Sequence, residues 1–92
     1  MNTELKIEAA YGGAVLQLQI STKGEAVLLV NGIVRDKNTG KNTLLVSSTV
    51  QTDYEWHELI EGKVSFSTNN ISAALFANKV QLAQQDFPSE LP

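Results

Sequence analysis

Two stretches of this chain share one layout. Ala26-Val27-Leu28-Leu29-Val30-Asn31-Gly32-Ile33-Val34 and Ala73-Ala74-Leu75-Phe76-Ala77-Asn78-Lys79-Val80-Gln81 each begin as an apolar run. Each then has Asn at the same offset, one further residue, and a β-branched apolar residue. Asn-Gly between apolar runs is a strong hairpin signal, because a type I′ turn needs positive φ at two adjacent residues. The repeated layout therefore predicts strand-turn-strand twice.

The rest of the chain alternates with period two. Leu5, Ile7 and Ala9 interleave with Glu4, Lys6 and Glu8, and Leu16, Leu18 and Ile20 interleave with Gln17 and Gln19. Such alternation puts one face of a strand in the core and the other in water. Tyr11-Gly12-Gly13 and Thr22-Lys23-Gly24-Glu25 read as the turns between the first three strands. The third, Ala26–Val30, turns at Asn31-Gly32 and returns over 33–37. A competing reading keeps 26–36 as one strand bulged at Gly32, with the turn moved to 38–41. Leu44, Val46 and Val50 predict a strand over 43–51, and Tyr54, Trp56 and Ile60 predict another over 54–60. Glu61-Gly62-Lys63 reads as a break before a short strand carrying Val64 and Phe66.

Residues 71–86 are open to two readings. Ala73, Phe76, Val80, Ala83 and Phe87 share one face at helical spacing, with Asn70 as a cap. The match to Ala26–Val34 makes the same stretch a hairpin of 71–77 and 80–85. The hairpin is preferred, since local helix propensity is a weak prior. The expected fold is all-β: a small antiparallel β-sandwich or partly open barrel of six to eight short hairpin-connected strands. The alternative is an α+β fold with a C-terminal helix. Residues 1–87 form one domain, and 88–92 are read as a loose tail that Pro88 keeps from continuing the last element.

Composition narrows function by exclusion. The 92 residues carry seven Lys and Arg against ten Asp and Glu, net −3, so there is no basic surface for nucleic acid. The absence of cysteine removes disulfides and thiolate chemistry and favours a reducing, cytoplasmic compartment or assembly with a partner. Neither a signal peptide nor a membrane span is legible. No cofactor motif is present, and the polar loop Arg35–Asn42 lacks phosphate-loop spacing.

One segment is dense in chemistry. Asp53-Tyr54-Glu55-Trp56-His57-Glu58-Leu59-Ile60-Glu61 holds the only His, the only Trp and four of the ten acids. On a strand, Glu55, His57 and Glu61 share one face and Tyr54 and Trp56 the other. A metal held by Asp53, Glu55 and His57 would be a poor zinc set, which ordinarily needs more than one His or Cys. Catalysis through His57 lacks a nucleophile and an oxyanion hole. Neither an enzyme nor a metal site is therefore expected. The residues that remain as binding candidates are Tyr54, Trp56, Glu55 and His57, together with Tyr11.

The hairpin Leu28-Leu29-Val30-Asn31-Gly32-Ile33-Val34 resembles hairpins of lectin-like and carbohydrate-binding β-sandwiches, on a turn requirement that any sheet protein can meet. The expected function is a non-catalytic protein-interaction module, such as an inhibitor, an immunity-type protein or an assembly subunit. It would bind a protein partner or a second copy through a sheet face or edge strand. The alternative is carbohydrate or small-ligand binding on a Tyr54/Trp56 platform.

Overall fold

The chain folds as two four-stranded antiparallel sheets packed face to face, seen in a computed structural model that describes residues 4–53 and 56–88. The first sheet contains β1 (Glu4–Tyr11), β2 (Ala14–Ser21), β3 (Glu25–Val30) and β4 (Ile33–Thr39). The second contains β5 (Thr43–Asp53), β6 (Trp56–Phe66), β7 (Asn70–Ala77) and β8 (Val80–Pro88). Within each sheet the strands lie in sequence order. Residues 40–42 carry the chain from one sheet to the other, and the Gly40 N–H donates to the Gly24 carbonyl at 3.0 Å across that link.

The alternation read from the sequence sets the two faces. Leu16, Leu18, Ile20, Ala26 and Leu28 of the first sheet meet Val46, Ile60, Val64, Ala73 and Leu75 of the second in one core, all fully or almost fully buried. At about 25 cal/mol per Å² of apolar surface, this interdigitated layer is the main stabilising term.

The stretch 71–86 is the hairpin β7–β8, without any helix. The Asn31-Gly32 turn likewise closes β3 on β4, so the single bulged strand over 26–36 does not form. Two local expectations need correction. Tyr11 ends β1, leaving Gly12-Gly13 alone as the turn. Glu61-Gly62-Lys63 does not break the chain, and 56–66 is one continuous strand. A Cβ built on Gly62 would stand 2.9 Å from both Leu18 Cδ1 and Val46 Cγ2. Gly62 is therefore a close-packing position in mid-strand, where its side-chain-free face lets the opposite sheet approach.

The two copies of the repeated layout are structurally equivalent in detail. Asn31 and Asn78 both take left-handed φ, 51° and 50°, as the first residue of a two-residue turn. Asn31 donates its backbone N–H to the Val15 carbonyl and accepts the Val15 N–H on Oδ1, at 2.8 and 2.9 Å. Asn78 makes the same pair of bonds with Leu59, at 2.8 and 3.0 Å. Each Asn thus ties its turn to the neighbouring strand of its sheet. The register then slips once in each copy: Arg35 stands unmatched between the Leu28/Asp36 and Leu29/Val34 pairs, and Leu82 between Leu75/Ala83 and Phe76/Gln81. Arg35 and Leu82 each come four residues after their Asn, so turn, tie and bulge recur together.

Candidate functional site

The equivalence fails where the sheets' edges meet. β4 and β5 are edge strands of different sheets, and side chains of β4 cross to the free backbone of β5. Asp36 pairs with Leu28, whose side chain is buried, so it points toward the core side of its sheet. From there its Oδ2 accepts the Ser47 N–H at 2.8 Å, while Oδ1 accepts the Lys37 N–H at 2.9 Å. Asn38, opposite buried Ala26, donates from Nδ2 to the Leu45 carbonyl at 3.2 Å. The bulged Arg35 donates to the Thr49 carbonyl at 3.3 Å. Three consecutive outward-facing backbone positions of β5, at Leu45, Ser47 and Thr49, are thereby occupied.

The equivalent positions on β8 are Leu82, Ala83 and Gln85, which have neither Arg35's reach nor the Asp36 carboxylate. Among the described residues no side-chain bond from β8 reaches β1, the edge strand opposite. β1 is guarded differently, by Lys6 and Glu8 on its outer face, ion-paired at 3.4 Å, with Gln17 donating to Glu8 at 2.6 Å. Charges on an edge discourage pairing with other chains. Between Val80 and Phe87, β8 carries one charge, Asp86, and no proline before Pro88. Gln84, Gln85 and Asp86 are exposed.

Of the binding candidates read from the sequence, Tyr54 and Glu55 lie outside the described residues, as do the side chains of Asp53 and Trp56. Trp56 opens β6 opposite Asp53. His57 is exposed and pairs with Gln51. Tyr11 is half-buried against the core, with its phenol beside Glu58. Partial burial first, and the Glu58 carboxylate second, push its phenol above the usual range. Glu58 also accepts from Asn78 Nδ2. The fold thus brings Tyr11 to the strand that carries His57, through a contact that ties β1 to the β7–β8 turn.

The described surface includes shallow depressions of about 230 Å³ (lined by Leu45, Glu61, Lys63, Phe76 and Lys79) and about 240 Å³ (lined by Thr22, Lys23, Gly24, Gly40, Lys41 and Phe66). Both are smaller than the roughly 300–1,000 Å³ of small-molecule sites. Among the described residues no three of His, Asp and Glu gather at a metal-binding spacing. No described helix is long and apolar enough to cross a membrane.

Sequence reasoning missed the edge. The signal was available as Arg35-Asp36-Lys37 in the first copy against Leu82-Ala83-Gln84 in the second. It becomes meaningful only once both are known to be edge strands. Comparison with protein families, with curated proteins and with solved structures gave no match.

Proposed function

We propose that this protein is a non-catalytic interaction module that binds a protein partner by adding a strand to β8. One observation carries the reading. The chain occupies the β5 edge with three side-chain bonds from β4, sets the charges of Arg35, Asp36 and Lys37 on β4 and those of Lys6 and Glu8 on β1, and leaves β8 nearly uncharged with Gln84, Gln85 and Asp86 exposed. An unprotected edge offers a row of backbone donors and acceptors to an incoming strand, which supplies affinity without a pocket. The lack of cysteine fits a reducing, cytoplasmic setting.

The test is affinity capture from the native lysate with the wild type and with Gln85→Lys. Gln85 is exposed, so its replacement leaves the fold intact, as circular dichroism will verify. A protein retained by the wild type and lost by the variant supports edge binding. Equal retention by both overturns it, as does no retention by either from a wild type that is strictly monomeric.

A further inference from the structure

We infer that the strand added to β8 is the β8 of a second copy, paired antiparallel about a two-fold axis at Gln85. This rests on the edge-binding reading and names its partner. Beyond the unmatched Leu82, residues 83–87 run in unbroken register with β7, from Ala83/Leu75 to Phe87/Ile71. This is the regular part of the edge, so pairing is confined to it.

Within those five residues the charge pattern selects the register. Centring on Asp86 would set two carboxylates against each other, which destabilises a cross-strand pair. Centring on Gln84 would set Asp86 against Leu82, at the slip in register. Centring on Gln85 makes every opposition favourable. The two Gln85 amides meet, and each can donate and accept. Gln84 stands opposite the second copy's Asp86, and Asp86 opposite its Gln84. Ala83 stands opposite the second copy's Phe87. The Gln84–Asp86 combination already bonds within one chain, Nε2 to Oδ1 at 2.7 Å, so the same donor and acceptor serve across the axis. Residues directly opposed in an antiparallel pair lie on the same face, as these oppositions require. A closed two-fold pairing then uses up the edge on both copies and joins two second sheets into one of eight strands.

Five residue pairs make a small interface, at the low end of the area range of specific complexes, so the dimer is weak and concentration-dependent. Sedimentation equilibrium from about 1 µM to 1 mM tests it with three proteins. The wild type is expected to show a reversible monomer–dimer equilibrium. Gln85→Lys sets like charges on the axis and should raise the dissociation constant at least tenfold. Gln84→Lys sets a cation opposite each Asp86 and should leave the dimer as tight as the wild type or tighter. All three sequences should give the same circular dichroism spectrum.

A wild type that stays monomeric to 1 mM overturns the self-pairing. So does equal weakening by both variants, because it removes the register. The two readings fail separately. A monomeric wild type that still captures a lysate protein through β8 loses only the self-pairing, whereas a monomer that captures nothing loses both.

Discussion

Replacing Asn31 with alanine removes two contributions that can be measured apart. The first is the Oδ1 bond from the Val15 N–H, at 2.9 Å, with a net worth of about 1 kcal/mol for an intramolecular bond of this kind. The second is backbone tolerance. Asn31 sits at φ 51°, where an ordinary L-residue costs about 1–2 kcal/mol and Asn is among the few residues that adopt it readily. Asn31→Ala should therefore lose about 2 kcal/mol. Asn31→Gly keeps the left-handed backbone at no steric cost and loses the bond, so it should lose about 1 kcal/mol, with a few tenths more for the added freedom of the unfolded chain. For a domain of this size about 1 kcal/mol moves the melting temperature by about 4–8 °C. The second copy is an internal control. Asn78→Ala should cost at least as much as Asn31→Ala, because Asn78 also donates to Glu58. Urea denaturation of the four proteins, analysed at constant m, separates the contributions. If the Ala and Gly variants of Asn31 are equally stable, the backbone argument is refuted. If both lie within about 0.5 kcal/mol of the wild type, the bond argument falls with it.

Four further outcomes follow from the same geometry. Gly62→Ala forces a methyl into atoms 2.9 Å away on two strands and should destabilise by about 1–3 kcal/mol in a urea melt. Asp36→Ala uncovers the Ser47 N–H and should cost about 1–2 kcal/mol in the same assay, while increasing aggregation on heating as seen by light scattering. Lys79→Gly relieves a left-handed backbone at φ 70° and should raise the melting temperature by a few degrees, the exposed ion pair to Glu61 being worth little. Tyr11 holds its proton more tightly when folded, so its contribution is complete below pH 10.0 and declines as pH climbs through the raised value. Wild-type stability should accordingly fall more steeply above pH 10 than that of Tyr11→Phe, in denaturation curves taken across that range.

Much of the fold could be read from residue order because its rules are local. Period-two alternation placed Leu16, Leu18 and Ile20 in the core, and the Asn31 layout carried over to Asn78 against the helical spacing of Ala73, Phe76, Val80 and Ala83. Lys79 shows why that second turn was harder to read. It occupies the position that Gly32 fills in the first copy, and its sequence gives no hint of a positive φ. Gly62 misled for the converse reason. Glycine commonly marks a break, but here its missing side chain answers to Leu18 and Val46, which are remote in sequence. The edge difference was invisible for a related reason. Asp36 becomes a guard only because Ser47 of another sheet lies 2.8 Å away, a relation that no spacing along the chain encodes. The aromatic candidates Tyr54 and Trp56 were legible as a composition cluster, whereas Tyr11 is brought to the strand that carries His57 only by the fold, where it lies beside Glu58.

Among the described residues, every strand pairs only with its neighbours in sequence. Sandwiches that interleave distant strands must close long loops before those contacts stabilise anything, and they fold slowly for that reason. Here each ladder can zip from its own turn, and the one non-local event is the docking of two finished sheets across residues 40–42. The chain should thus fold faster than its all-β content alone would suggest, with its transition state at the meeting of the two apolar faces. Its rate should respond to Leu18, Gly62 and Val46, and hardly at all to the outer-face glutamines.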